Sequence, residues 1–259
     1  VMNTDNMSIL GLTIDYGPYG WLEGFDYNWT PNTTDAQHKR YAYGSQPNIG
    51  LWNLYQLANA LYPLVNDAKP FEEILEKYKK SYGLESLNMM RSKLGLIKPL
   101  EEDALLVSQL EDLLLETETD MTIFFRMLSD FDYKSFKNFD LESYLSLSLY
   151  DLSKLEQKTF LKKWRSWFSD YSQRLAKEAL IFSAKKQDMD AVNPKYILRN
   201  YISQMVIEAA EKGDYSMLDE VYNMIKNPYD NQEQFNKWFA KRPEWARHKV
   251  GCSMLSCSS

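Results

Sequence analysis

From Asn48 onward, apolar residues recur at helical spacing. Leu54, Leu57, Ala58 and Leu61 fall at i, i+3, i+4 and i+7, one stripe of an amphipathic helix that Pro63 is expected to end. Phe71, Ile74, Leu75 and Tyr78 repeat the pattern, with Pro70 near the first turn and Gly83 past the end. Leu87, Met90 and Leu94 predict another helix, stopped by Gly95 and Pro99. Leu106, Leu110, Leu113 and Leu114 mark the next, with Glu101, Glu102 and Asp103 at its positive end. Phe124, Met127, Leu128 and Phe131 follow, and then 132–154 is aromatic, Ser-rich and weakly periodic. Phe160, Trp164, Trp167, Phe168 and Tyr171 form a wide aromatic stripe. Tyr196, Tyr201, Met205 and Ile207 are assigned to a helix after Pro194. Leu218, Val221, Tyr222 and Ile225 are assigned to one between Gly213-Asp214 and Pro228. Phe235, Trp238 and Phe239 predict a last short helix before Pro243. The helices share no common length, which excludes a solenoid.

The first fifty residues read differently. Ile9-Leu10-Gly11-Leu12-Thr13-Ile14 is aliphatic and β-branched, the signature of a buried strand or a tight strand pair. From Asp15 to about Gly50 there is no helical period, only glycines and prolines mixed with Tyr16, Tyr19, Trp21, Phe25, Tyr27 and Trp29. A stretch this long without periodicity is usually functional or mobile; the plainer alternative is a surface loop pinned by its aromatics. The expected fold is mainly α, with a short β-hairpin at the N-terminal end.

Composition narrows the function classes. The 259 residues are 44% hydrophobic and 25% charged, ordinary for a globular protein. The formal net charge is -6, which argues against a uniform nucleic-acid surface. Lys162, Lys163 and Arg165 beside the aromatic stripe leave a stacking, strand-binding helix as an alternative, but the spacing favours an aromatic core face with solvated cations. No run of ~18 apolar residues suggests a membrane span, and no signal-peptide pattern opens the chain. Cys252 and Cys257 make up the cysteine content; both lie in the tail, which excludes a disulfide framework and favours a reducing compartment. With His38 and His248 as the histidines, a zinc site is not expected.

The candidate chemistry sits around the apolar run. Asp5, Asn6 and Asp15 carry side-chain oxygens that a closing loop could bring to one edge. Hard cations such as Mg²⁺ take oxygen ligands, often only one or two from the protein besides substrate phosphates. The other acid is then left to act as a base. The competing reading is turn chemistry: Asp and Asn cap turns by accepting backbone N–H bonds, and Asp15 precedes a Gly-Pro turn. The tail thiols of Cys252 and Cys257 could serve redox chemistry, by pairing with each other or with another protein, or could be inert.

Asn3-Thr4-Asp5-Asn6-Met7-Ser8 followed by Asp15-Tyr16-Gly17-Pro18 resembles the end of a protein-kinase active site, where Asp…Asn, a hairpin and Asp-Phe-Gly follow one another. Here Asp and Asn are adjacent and Tyr replaces Phe, which departs from an ordinary kinase. The pattern is similar to that of the selenoprotein O, or YdiU, family of kinase-like protein adenylyltransferases. The likeness continues through Arg40-Tyr41, Gln46-Pro47, Gly50-Leu51-Trp52-Asn53-Leu54, Asn193-Pro194, Arg199-Asn200-Tyr201, Asn227-Pro228-Tyr229 and the terminal Cys257-Ser258-Ser259.

What the resemblance implies is specific. The fold would be a protein-kinase-like C-lobe portion over 1–130, with 15–49 as its activation segment, and additional C-terminal helices over 131–259. The nucleotide lobe of such a protein would lie outside this chain, so the chain alone is expected to bind ATP weakly or not at all and to be inactive. Asp5 would be the base, and Asn6 and Asp15 would hold Mg²⁺ or Mn²⁺ on ATP. AMP would pass to Ser, Thr or Tyr hydroxyls of proteins with loss of pyrophosphate, and the nucleotide would lie reversed relative to a kinase. Partners would be ATP and protein substrates, not nucleic acid or membrane. The compartment would be the cytoplasm, or mitochondria in a eukaryote. Some members pair the tail Cys with one in the activation segment; Asn28-Trp29-Thr30-Pro31-Asn32 has no Cys for that. A conventional γ-phosphate kinase and a non-catalytic, pseudokinase-like scaffold are the alternatives.

Overall fold

A computed structural model describes residues 1–12, 20–30, 33–178 and 181–252. The described residues are mainly helical: α1 (Gln46–Val65), α2 (Lys69–Lys93), α3 (Asp103–Glu116), α4 (Met121–Leu128), α5 (Leu141–Ser146), α6 (Lys158–Ala176), α7 (Phe182–Val192), α8 (Asn200–Ala210) and α9 (Ser216–Ile225), with short 3₁₀ turns before α1, on either side of α5 and after α9. The chain divides into two compact units. The first comprises Val1–Gly20, Asp26–Ser86 and His248–Ser259; the second comprises Trp21–Phe25 and Leu87–Arg247.

The expected β-hairpin is not seen. Ser8–Gly11 is a turn, closed by Gly11 N–H on Ser8 O at 2.9 Å, and Gly11 takes the positive φ of 70° that this reversal needs. Ile9 and Leu10 are 77% and 76% exposed, and no described residue pairs with them as a strand partner. A lone apolar run has β-propensity but no ladder to join, and a strand is stabilised by its cross-strand pairs. Thr13 and Ile14 lie outside the described residues. Among those described, pairing is limited to the isolated bridges Gly24↔Asp120 and Thr119↔Leu149.

Two helix ends also differ from the sequence reading. Pro63 lies inside α1, which runs two residues further and stops at Asn66 in the left-handed region, its N–H on Tyr62 O at 2.8 Å. Proline so near a C-terminus removes one hydrogen bond without breaking the preceding turns. Gly83 does not end a helix: α2 runs through it, fusing two expected helices into one of 25 residues. Gly95 does terminate α2, at φ 69°. A Cβ there would sit 2.9 Å from Met189 Sδ, so the position excludes a side chain on both conformational and steric grounds.

The second unit holds the main core, formed by α3, α4 and α6. Phe160, Trp164, Trp167, Phe168 and Tyr171 of α6 are all buried. Their polar tips find backbone carbonyls where these are in reach: Trp167 Nε1 donates to Leu106 O at 3.0 Å and Tyr171 Oη to Leu94 O at 2.7 Å. Lys163 and Arg165 are exposed and pair with Glu116 and Glu142. The aromatic stripe is therefore a core face, not a stacking platform. The weakly periodic 132–154 stretch is built from short turns, each started by an aspartate: Asp132, Asp140 and Asp151 accept from the N–H of Lys134, Ser143 and Ser153. Tyr196 precedes α8 rather than lying on it, and Phe235–Trp238 forms only a 3₁₀ turn.

Candidate active site

Thr4–Asn6 forms a single 3₁₀ turn. Its cap is Asn3, whose Oδ1 accepts from Asn6 N–H at 3.1 Å. The Asn6 carboxamide donates through Nδ2 to Val1 O at 2.9 Å. That bond fixes which way the amide faces, since a carbonyl can only accept. Asp5 takes no part in the turn: its carboxylate is exposed and makes no hydrogen bond or ion pair among the described residues. Turn chemistry, the competing explanation for the Asp-Asn pair, is therefore carried by Asn3.

The turn is seated on α1. Met2 N–H donates to Gln46 Oε1 at 2.9 Å. Asn53 Nδ2 donates to Met2 O at 2.8 Å and reaches Met7 Sδ. Gly50, one turn before Asn53, leaves room for Tyr78: a Cβ on it would come within 2.8 Å of Tyr78 Oη, which donates to Pro47 O. Gly50 and Asn53 are the buried residues of α1. Its inward face is thus small and polar, which is why the leucine stripe read from the sequence did not locate it.

Asp15 lies outside the described residues, so its expected convergence with Asn6 belongs to the proposal below. Among the described residues no cluster of three or more His, Cys, Asp or Glu side chains is placed to hold a metal. Of the two residues expected to hold a hard cation, Asn6 is described, and its amide oxygen accepts no hydrogen bond among the described residues, as a ligand oxygen requires. Asp5 offers an exposed carboxylate with no partner among the described residues, as a base requires. Of the tail thiols, Cys252 is buried, 3% exposed; Cys257 lies outside the described residues.

Part of the loop expected as an activation segment is ordered by its own polar contacts. Asp35 accepts from Arg40 N–H at 2.9 Å and Tyr41 N–H at 2.7 Å. Tyr27 and Tyr43 stack at 6.3 Å, and the Arg40 guanidinium lies 4.7 Å from the Trp52 ring centre. In the second unit Trp21–Phe25 enters a buried ionic network that the sequence did not announce. Arg199 bonds Asp120 twice, at 2.7 and 3.1 Å, and lies 3.6 Å from Glu23. Arg242 reaches Glu23 at 3.2 Å and Glu118 at 2.7 Å. Burial pushes the Glu23 carboxyl above its usual range, against the pull of Arg199 and Arg242. Asp120 also caps α4, accepting from Ile123 N–H at 3.0 Å. Three further motif residues, Asn193, Pro228 and Tyr229, likewise make structural contacts. Asn193 exchanges bonds with Lys93, Pro228 O accepts from Lys195 and Tyr196, and Tyr229 O accepts from Arg126.

Comparison with known proteins decides what this geometry belongs to. The family model described as protein adenylyltransferase SelO matches residues 1–226. The chain belongs to the SelO family. Over its full length it is 52% identical to the protein nucleotidyltransferase YdiU of Flavobacterium johnsoniae, covering 49% of that protein. It is 47% identical to the YdiU of Aromatoleum aromaticum and 48% identical to that of Rhodopirellula baltica, covering all of this chain and 48% and 50% of theirs. The chain thus spans about half the length of the curated SelO relatives it matches. No helix among the described residues is long and apolar enough to cross a membrane.

Proposed function

We propose that the full-length protein carrying this chain is an ATP-dependent protein adenylyltransferase acting through the Thr4–Asn6 turn. The observation that carries the reading is the division of labour in that turn. Asn3 does the capping, which leaves the Asp5 carboxylate exposed and without a partner among the described residues. The nucleotidyltransferase names of the relatives agree with it. Asp5 accepts the proton of a Ser, Thr or Tyr hydroxyl as its oxygen attacks the α-phosphorus of ATP. The bond from the α-phosphorus to the bridging oxygen breaks, pyrophosphate leaves, and AMP stays on the protein. Asn6 and Asp15 would hold a divalent ion, Mg²⁺ or Mn²⁺, which when bound would neutralise charge on the phosphates. We assign the surrounding helices to a kinase-like C-lobe, with the segment after Asp15 bordering the protein substrate, and place the enzyme in the cytoplasm.

The test is transfer from labelled ATP by the full-length protein. Label at the α-phosphate is expected on protein substrates and label at the γ-phosphate is not. The reverse pattern would show a conventional kinase, and no label from either, with nucleotide binding intact, a scaffold.

A further inference from the structure

Gln46-Pro47 and Gly50-Leu51-Trp52-Asn53-Leu54 carry a family likeness, but no part of the proposed chemistry uses them. The geometry points to Asn53 as a positioning residue that holds the Asp5–Asn6 turn in register for the reaction, an inference that rests on the adenylyltransferase reading. Three observations support it. Asn53 is buried in the middle of α1, 6% exposed. Its amide nitrogen donates to Met2 O at 2.8 Å and reaches Met7 Sδ, so one side chain grips the segment on both sides of Asp5 and Asn6. Its Oδ1 is buried and has no hydrogen-bond partner among the described residues.

The last point discriminates between roles. A buried acceptor left unmet costs stability, and an aliphatic side chain would fill a helix face without that cost. The amide at residue 53 supplies what an aliphatic side chain lacks, a donor aimed at a backbone carbonyl beside the turn. Gln46, two turns earlier on the same helix, supplies the complement by accepting from Met2 N–H at 2.9 Å. Met2 is thus held at both its N–H and its carbonyl by side chains of one rigid element. Asn6 Nδ2 then bonds Val1 O at 2.9 Å, passing that restraint to the turn itself. A site held by a helix through hydrogen bonds keeps its reacting groups aligned better than one on an untethered loop.

The test uses Asn53→Ala in the full-length protein. The kcat for AMP transfer is expected to fall about ten- to hundredfold, with KM for ATP changed less than about threefold. Hydrogen exchange at the Asn6 and Met7 amides should accelerate, while the amides of α1 keep their protection. In an Asp5→Asn background the same substitution should cost several-fold less than in the parent, because one of the two groups it aligns is gone. Equal cost in both backgrounds, an unchanged kcat, or unchanged exchange at Asn6 and Met7 overturns the inference. Should Asn53→Ala fail to fold, Asn53→Asp serves with the same readouts, since it keeps the size and replaces the donor by an acceptor. If the parent protein transfers no AMP, the functional reading fails by itself, and the exchange measurement still decides whether Asn53 holds the turn.

Discussion

Asp5 and Asp103 show how differently one residue type is used in this molecule. Asp5 is exposed and has no partner among the described residues. Asp103 is fully buried and bonds Arg174 at 2.6 Å, Arg91 at 2.7 Å and the Leu100 N–H at 3.0 Å. Burial pushes the Asp103 carboxyl up, but the bonds from Arg174, Leu100 and Arg91 outweigh it and hold the group below the ordinary aspartate range. The sign follows from proton linkage. The unfolded state binds the proton more readily, so this carboxylate's contribution is complete above the unfolded value and is lost as pH falls through the folded one. Asp103→Asn should therefore flatten the acid limb of the stability curve below about pH 4 and, by leaving Arg91 and Arg174 short of a partner, lower stability at neutral pH by about 3–5 kcal/mol. Urea unfolding at a series of pH values checks both. Asp5 and Asn6 were legible as candidates from their spacing, but whether they merely cap a turn was not, because that depends on which of three neighbouring polar residues accepts which N–H. Asn53 was invisible to a search for apolar periodicity, because α1 buries an amide and a glycine instead of leucines.

Among the elements, the aromatic face of α6 was readable because its period is long and its residues are large. The fusion of α2 was not. Gly83 reads as a stop, yet the helix continues through it, and a Cβ there would meet nothing within 4 Å. Gly83 therefore carries a conformational cost with no structural return, and Gly83→Ala should stabilise the protein by about 0.5–1 kcal/mol, seen as a higher denaturation midpoint with an unchanged denaturant slope. No gain would mean that the residue is kept for another reason. The expected hairpin failed for the converse reason: Ile9, Leu10 and Leu12 have strand chemistry, but strand formation requires a partner that no local pattern can reveal. The buried network of Glu23, Asp120, Arg199 and Arg242 lay beyond any local reading, since it joins residues up to 219 positions apart.

Taken whole, the chain uses its charge in two ways. Most of its described charged residues are at least partly exposed, while Asp103, Asp120 and Glu23 are drawn inside and matched by arginines. Replacing both partners of such a buried pair by well-packed apolar residues can be neutral, whereas removing one is costly. Removing Arg199 or Asp120 alone would therefore leave its partner buried and uncompensated. The mostly helical class and the family followed from the sequence, the latter because motifs recur from Asn3 to Tyr229. The proposed chemistry remains concentrated in the Thr4–Asn6 turn and in Asp15. Single-turnover AMP transfer by Asp5→Asn full-length protein addresses it most directly, with ATP affinity and melting temperature measured beside it. The rate should fall about 10²–10⁴-fold while both companions stay close to the parent's; a rate within about fivefold of the parent would contradict a base at Asp5.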